Sequence, residues 1–267
     1  MHLSFLKRSA IILALIILSA LIVWLIYAWY FHPLPDKAIQ WLSQVPPPTK
    51  ADRILVFSPH PDDETIACGG YIATAVQNGS SVWIALITDG NKHGKERIRY
   101  AEFYNATRTL GIRERQLFFL GFPDGGLRKE NPDKLRQSFE RIILTVKPEI
   151  VFAPHPLDHH PDHQITGKIV EDLSSSGSFV LYQYLVHYNL FPKPRQYAPN
   201  LYLKPPMRLL RINSSWMTFP LSETMEQVKF QATLQYRSQL KDPFDPLLPG
   251  LMLGMIRKNE LFSTGGK

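Results

Sequence analysis

From Arg53 onward, short apolar segments alternate with segments of helical spacing, and this alternation limits the folds open to the chain. Four apolar runs have the length and composition of buried parallel strands: Ile54–Phe57, Val82–Ile87, Gln116–Leu120 and Glu149–Ala153. Four segments with helical spacing follow them in turn: Glu64–Asn78, Lys95–Leu110, Asp133–Val146 and His163–Leu173. The sequence therefore predicts an α/β fold, with a Rossmann-like, mostly parallel sheet that carries helices on both faces.

The pattern is looser after Ser178, where the sequence predicts a strand over Phe179–His187 and a helix over Met225–Leu240. With 45% hydrophobic and 20% charged residues, the chain can bury a sizeable core and does not have the composition of a disordered protein. The one cysteine, Cys68, excludes an internal disulfide framework and a cysteine-based zinc finger.

Two clusters of ionisable residues follow the first and fourth predicted strands. The first is His60–Glu64, with the sequence His-Pro-Asp-Asp-Glu, and the second runs from His155 to His163. In open parallel sheets, the loops at the carboxyl ends of the strands form the ligand crevice. The two clusters therefore face each other if their strands are neighbours.

The residue types in these clusters indicate a metal site. Imidazole and carboxylate ligands without thiolate suit zinc best, with iron, manganese or cobalt less favoured, and three protein ligands leave a position open for a catalytic water. In the structural alternative, Asp62 or Asp63 only caps the helix that begins near Glu64. Four of the nine histidines lie within the nine residues of the second cluster, which capping does not explain.

On these motifs the sequence resembles the PIG-L/LmbE-like family of zinc-dependent N-acetylglucosaminyl deacetylases. The family's hallmarks are a His-Pro-Asp-Asp-Glu motif after the first strand and a downstream His-Pro-Asp-His motif, which stand here as His60–Glu64 and His160–His163. The resemblance covers Ile54–Gly167, and it is fainter at Tyr236–Gln239. Intermediate motifs of the family are also matched: Thr88–Gly90, Arg99 with Glu102, Leu110-Gly111 and Gly121–Gly126.

The resemblance implies that His60, Asp63 and His163 hold zinc and that Asp62 is the general base. Zinc lowers the pKa of a bound water towards about 7, so a nearby carboxylate can complete its deprotonation. The same carboxylate can then give the proton to the departing amine. Another divalent metal, such as Fe²⁺, is the alternative cofactor.

Four further roles follow from the same resemblance. A protonated His160 would stabilise the oxyanion that develops when the acetamide carbonyl is attacked. Asp162 would orient His160, while Arg99 and Asp124 would contact the sugar. The roles of His155, Asp158 and His159 stay open between partners of a ligand imidazole and polar residues at the rim of the site.

An uncharged run, Ser9–Phe31, precedes the predicted enzyme domain and is long enough to span a hydrocarbon core of about 30 Å. A cleavable signal peptide is the competing interpretation, but its apolar core is usually about 7–15 residues and is followed by small residues. Here bulky aromatic residues and prolines follow. The sequence thus predicts a short tail over 1–8, a transmembrane anchor over 9–31, a linker over 32–52 and a deacetylase domain over 53–267.

The charges flanking this run favour a single-pass protein with a cytoplasmic N-terminus and an extracytoplasmic enzyme domain, because Lys7 and Arg8 precede the run. Residues 191–267 contain 11 Lys and Arg against 5 Asp and Glu. This excess is either a solvated basic face or a surface that contacts anionic lipid or an acidic glycan. No recognised nucleic-acid motif accompanies it, so nucleic acid is not an expected partner.

The predicted function is that of a membrane-anchored zinc hydrolase that removes an N-acetyl group from a GlcNAc-containing lipid-linked sugar, glycan or metabolite and releases acetate. One alternative is a metal-dependent hydrolase of another amide or ester bond, although two-metal phosphatases need more bridging carboxylates. The other is a non-catalytic, membrane-anchored sugar-binding module, which would have no use for the free carboxylate of Asp62. The sequence does not determine the oligomeric state.

Overall fold

Eight strands form one sheet in the computed structural model, which describes residues 2–31, 34–175, 177–211 and 215–264. In chain order the strands are β1 (Ser43–Gln44), β2 (Arg53–Ser58), β3 (Ser81–Thr88), β4 (Leu117–Phe122), β5 (Ile150–Pro154), β6 (Val180–Tyr184), β7 (Ser215–Pro220) and β8 (Asn259–Thr264). Across the sheet they lie in the order β1-β7-β8-β6-β5-β2-β3-β4, and β8 runs antiparallel to both of its neighbours. The mostly parallel sheet confirms the predicted fold class.

Helices cover both faces of this sheet. They are α2 (Asp63–Gln77), α3 (Glu96–Thr109), α4 (Pro132–Val146), α5 (Pro161–Ser174), α6 (Glu223–Thr233), α7 (Arg237–Leu240) and α8 (Leu248–Gly254), and they follow an N-terminal helix α1 (His2–Phe31). Alternate residues of β2 enter different apolar clusters, because successive side chains of a strand point to opposite faces. Val56 packs with Phe103 of α3 on one face, and Phe57 packs with Phe139 of α4 on the other.

The helix ends follow local chemistry that can be read in the sequence. The glycines after α2 and α3, Gly79 and Gly111, have φ angles of 85° and 88°, which residues with a side chain rarely adopt. Asn131 caps α4 by accepting hydrogen bonds from two backbone N–H groups of its first turn. These three positions set where the helices begin and end.

The last third of the chain departs from the predicted pattern. The helix predicted over Met225–Leu240 is divided into α6 and α7 at Tyr236, whose ψ of 56° is not helical. Strands β7 and β8 and helix α8 were not predicted. Strand β8 gave no apolar signal because three of its buried residues are polar, namely Asn259, Glu260 and Ser263.

Helix α1 has a stretch, Lys7–Ala28, that is long and apolar enough to cross a membrane. Residues 32–33, at the start of the predicted linker, lie outside the described residues. Within the rest of that linker, β1 pairs with β7, with Ser43 opposite Met217. The central sheet therefore begins before residue 53, where the sequence placed the start of the enzyme domain.

Strands β2 and β5 are neighbours, with Ile54 opposite Ile150. The loop after Ser58 leads into α2, and the loop after Pro154 leads into α5, so both loops lie at the carboxyl edge of the sheet. Helix α5 packs closely on β5, since a Cβ atom on Gly167 would lie 2.4 Å from the carbonyl oxygen of Pro154. The two motif clusters are thereby brought together, as the predicted topology required.

Candidate active site

Three donor atoms from the two motif loops converge on one point. His163 Nε2 lies 3.0 Å from Asp63 Oδ2 and 3.3 Å from His60 Nδ1, and His60 Nδ1 lies 3.2 Å from the same Asp63 oxygen. A tetrahedral zinc ion with bonds of about 2.0–2.1 Å separates its ligand atoms by about 3.3 Å. All three side chains are buried, and the other oxygen of Asp63 has no hydrogen-bond partner among the described residues. The donor set and its spacing therefore fit a divalent metal.

The electrostatics of this cluster favour an ionised Asp63. Although burial opposes ionisation, the adjoining His163 and His60 hold the pKa of Asp63 well below its usual value. Burial likewise opposes the protonation of His163, but Asp63 and Asp158 outweigh it and raise the pKa of the ring well above its usual value. Metal binding at this point would displace the proton from His163, as it does from metal-binding histidines in general.

The turn before α2 holds Asp62 in an unusual backbone conformation. Its φ of 137° lies in a region that favours glycine, and such a residue stores about 1–3 kcal/mol of strain. The Asp62 carbonyl oxygen accepts hydrogen bonds from the N–H groups of Thr65 and Ile66, which starts the helix. A strained residue persists only where the surrounding structure holds it in place. Such residues are common at functional sites.

Glu64 is one of the groups that enforce this turn. Its buried carboxylate accepts hydrogen bonds from the Ser58 hydroxyl at 3.0 Å, from the Asp62 N–H at 3.3 Å and from the hydroxyl of Tyr236. Burial raises the pKa of Glu64, and the hydroxyl donors counter part of that rise. Tyr236 belongs to the motif in which the resemblance was faint. It lies at the break between α6 and α7, and its hydroxyl contacts Glu64 of the first motif.

The carboxylate of Asp62 lies beside the cluster of His60, Asp63 and His163. It is 3.6 Å from the guanidinium of Arg99. Burial raises the pKa of Asp62 to about 8, and the charge of Arg99 opposes that rise. A carboxylate whose pKa is near neutrality can both accept and return a proton.

His160 forms the N-cap of α5, and its Nδ1 accepts the backbone N–H of Asp162 at 3.2 Å. Burial and the neighbouring imidazoles lower the pKa of His160 to about 3. Together with the hydrogen bond to Nδ1, this lowered pKa favours a neutral imidazole that carries its proton on Nε2, whereas the sequence analysis expected a protonated ring. The ring lies edge-on to His60 at 4.5 Å between centroids, so its Nε2–H is a donor beside the metal cluster.

The carboxylate of Asp162 orients a different histidine from the one expected. It lies 3.2 Å from Nε2 of His60 and accepts hydrogen bonds from the N–H groups of Gly125 and Leu127. The hydrogen bond between Asp162 and His160 comes from the backbone N–H of Asp162, as part of the cap of α5. A carboxylate on the second nitrogen of a metal-binding histidine is a common way to orient that ring.

Arg99 does not reach the open part of the site, where we expected it to contact a sugar. The residue is 3% exposed, and its guanidinium donates to Asp124 at 2.7 Å and to the carbonyl oxygens of Gly90 and Pro61 at 3.2 Å. Arg99 therefore joins three loops of the site. Asp124 lies between Arg99 and His60, with its second oxygen 3.4 Å from His60 Nε2.

A family model described as PIG-L: GlcNAc-PI de-N-acetylase matches residues 55–174, which contain both motif loops. Residues 55–174 are therefore similar to the PIG-L family. This match confirms the resemblance found in the sequence.

Two curated relatives and one solved structure illustrate what the chain is similar to. A probable N-acetyl-α-D-glucosaminyl L-malate deacetylase 2 of Bacillus cereus is 34% identical over 132 residues, 44% of this chain and 59% of that protein. The diacetylchitobiose deacetylase of Thermococcus kodakarensis is 29% identical over 138 residues, 47% and 50% of the two chains. The chain thus spans between half and three fifths of the length of these relatives.

The solved structure is the N,N'-diacetylchitobiose deacetylase from Pyrococcus horikoshii. It superposes with a TM-score of 0.58 at 22% identity and covers 85% of this chain and 88% of its own. At this identity the likeness establishes the fold. The superposition extends well beyond residues 55–174, which match the PIG-L family model.

Asp158 contacts the imidazole of His163, one of the three candidate ligands. One of its oxygens lies 3.5 Å from Nδ1 of His163 and also accepts the N–H groups of Val186 and His187, both at 2.9 Å. Asp158 thereby connects the second motif to the end of β6. Of the two roles left open by the sequence, its geometry matches that of a partner to a ligand imidazole.

The other two undecided residues have different surroundings. His155 is buried, stacks on Trp216 and accepts the N–H of Leu157 on its Nδ1, so its ring supports the loop. His159 is exposed and, with His187, lines a cavity of about 220 Å³. His159 is therefore a rim residue.

The sequence analysis missed His187. A ring nitrogen of His187 lies within 4.8 Å of donor atoms of Asp63 and His163. The signal that could have found it is its position three residues beyond the end of β6, at the same carboxyl edge as the two motifs.

Proposed function

We propose that the chain is a zinc-dependent N-deacetylase that hydrolyses the acetamide of a GlcNAc-containing substrate to acetate and a free amine. The observation that carries this proposal is the convergence of His60, Asp63 and His163 at 3.0–3.3 Å beside the carboxylate of Asp62. A structural metal site has no need of that carboxylate. The relatives are named as deacetylases of N-acetylglucosaminyl malate and of diacetylchitobiose, which supports the same reaction here.

His60, Asp63 and His163 are the proposed ligands. When bound there, zinc supplies a Lewis acid that activates a water molecule and polarises the acyl oxygen. The thiolate-free donor set also accepts Fe²⁺, so that ion is the alternative cofactor. Asp162 is proposed to fix the orientation of the ligand His60.

Asp62 is proposed to accept the proton of the attacking water and to return it to the nitrogen of the departing amine. His160 would donate its Nε2–H to the oxyanion that develops on the acyl oxygen, a contribution that is typically worth about 2.7–4 kcal/mol. Asp124 is the proposed sugar contact because it lies at the edge of the cluster. Arg99 would act through Asp124 and Asp62, whose carboxylates it holds.

We further propose that the enzyme works on a membrane, with residues 9–31 as a single-pass anchor, 32–52 as a connecting segment and 53–267 as the enzyme domain. The apolar stretch within α1 supports the anchor, and the charges before it favour a cytoplasmic N-terminus and an extracytoplasmic domain. Two exposed apolar side chains, Phe244 at 72% and Leu247 at 68%, support a lipid-linked sugar as the substrate class. Leu247 lines the same cavity as His187.

The test of this proposal uses the full-length chain purified in detergent. Acetate release is measured on a panel of N-acetylglucosaminides, with lipid-linked and soluble members, before and after metal removal and zinc return. We expect zinc-dependent release that falls at least about 100-fold in Asp62→Asn, because a general base typically contributes 10²–10⁴. Asp172→Asn, which changes an exposed carboxylate of α5, is the matched control and should retain full activity.

Elemental analysis accompanies each assay. One bound metal per chain in Asp62→Asn would assign the loss to proton transfer rather than to an empty site. Undiminished release by Asp62→Asn would contradict the mechanism. A wild-type chain that binds no metal would contradict the proposed function as a whole. If no N-acetylglucosaminide is hydrolysed but ester or phosphoester substrates tested in parallel are, the other hydrolase reaction is favoured.

A further inference from the structure

His187 stands at the metal cluster but belongs to neither motif. Its ring lies edge-on to the ring of His163 at 4.9 Å between centroids, and 5.2 Å from the ring of His160. The backbone of His187 is held on both sides: its N–H donates to Asp158 at 2.9 Å, and its carbonyl oxygen accepts the N–H of His159 at 2.6 Å. These bonds keep the ring beside the cluster.

The ring nitrogens of His187 form no hydrogen bond with any residue that the structure describes, and the residue is partly buried. A carboxylate oxygen of Asp63 lies within 4.8 Å of a nitrogen of this ring, and Asp63 Oδ1 is buried without a hydrogen-bond partner in the described parts of the chain. A core histidine is normally satisfied by protein partners. Asp63, His163 and His187 each place one donor atom within 4.8 Å of the others, a grouping that could hold a cation.

We propose that His187 is a fourth protein ligand of the metal centre, beside His60, Asp63 and His163. The inference rests on the proposed function, because it presumes that those three residues hold a metal. Ligand atoms on opposite sides of one ion lie at most about 4.2 Å apart. The nitrogen of His187 lies within 4.8 Å of the donor atoms of Asp63 and His163, so a small movement of the ring would bring it towards the same ion.

The fourth ligand changes what the centre can do. Three imidazoles and one carboxylate, with one position left for water, make a five-coordinate site rather than a four-coordinate one. Such a site suits metals that accept higher coordination, including Co²⁺ and Fe²⁺, better than a three-ligand site does. His187 also lines the cavity of about 220 Å³, so the ring would stand between that cavity and the other three ligands.

The experiment compares full-length wild-type protein, His187→Ala and His159→Ala in detergent, each loaded with Co²⁺. His159→Ala is the matched control because its ring lines the same cavity but is exposed. We measure the visible absorption of bound Co²⁺ and its dissociation constant by competition with a chelator. Circular dichroism of the metal-free proteins checks that each variant folds.

We expect His187→Ala to bind Co²⁺ at least about tenfold more weakly. Its visible absorption should intensify as the coordination number falls, and added imidazole should restore the wild-type spectrum. His159→Ala should match the wild type in both measurements.

Three results would overturn the inference. If His187→Ala has the wild-type spectrum and affinity, His187 is not a ligand, while the proposed function stands. If the affinity falls but the spectrum is unchanged and imidazole has no effect, the ring acts only through packing. If the wild type binds neither Co²⁺ nor Zn²⁺, the proposed function fails together with this inference.

Discussion

A buried ion pair far from the solvent supports the helix that carries the first motif, and breaking it should be costly. Lys229 of α6 lies 2.8 Å from Glu260 of β8, and both side chains are 0% exposed. The Glu260 carboxylate also accepts the N–H groups of Gly70 and Tyr71 in the middle of α2, each at 2.7 Å. The substitution Lys229→Met keeps most of the side-chain length but leaves the charge of Glu260 without its cation.

The magnitude follows from this burial. Removing one partner of a buried pair typically costs about 3–5 kcal/mol. Glu260 would keep its two backbone donors, so we expect the lower end, about 3 kcal/mol. For a domain of this size that loss lowers Tm by about 6–12 °C. The exposed pair of Arg136 and Glu140, 43% and 41% exposed, is the comparison, and Arg136→Met should cost about 0.5 kcal/mol.

The assay is unfolding of the full-length chain by guanidinium in detergent, followed by tryptophan fluorescence. The double variant Lys229→Met with Glu260→Gln removes both charges and should recover a large part of the loss, because the cost of the single variant is mainly that of an unpaired buried charge. A Lys229→Met protein within 1 kcal/mol of Arg136→Met would refute the reasoning. So would strictly additive losses in the double variant.

Two further predictions concern residues around the motifs. Asp158→Asn should weaken zinc binding about 10–100-fold, since it removes the carboxylate beside Nδ1 of His163, and competition with a chelator measures this. Tyr236→Phe should lower the free energy of unfolding by about 1–3 kcal/mol, because the buried carboxylate of Glu64 loses a hydroxyl donor, and chemical denaturation measures the change.

Matched control variants show whether the changes in zinc affinity and in the free energy of unfolding are specific to Asp158 and Tyr236. Asp172→Asn, at an exposed position of the same helix as His163, should leave zinc affinity unchanged. Tyr197→Phe, at a 43% exposed position, should leave the free energy of unfolding within about 0.5 kcal/mol of the wild type. Equal effects in a variant and its matched control would contradict the role assigned to Asp158 or Tyr236.

The sequence alone predicted the parallel half of the sheet and the edge of the sheet at which the candidate metal site lies. Strand Arg53–Ser58 is buried after its first residue, so Ile54–Phe57 forms a continuous apolar run, and this pattern is local. The two motifs could be placed because each follows such a strand, and neighbouring parallel strands end at one edge. His60, Asp63 and His163 are brought together by this topology.

The tertiary structure decided what depends on partners distant in the chain. Strand Asn259–Thr264 was missed because its buried polar residues are satisfied by remote groups, as Glu260 is by Lys229 and by the backbone of α2. Asp162 faces His60 rather than His160 because the cap of α5 turns its side chain towards Gly125. His187 joins the cluster only because β6 pairs beside β5, and no spacing within a single motif expresses which strands become neighbours.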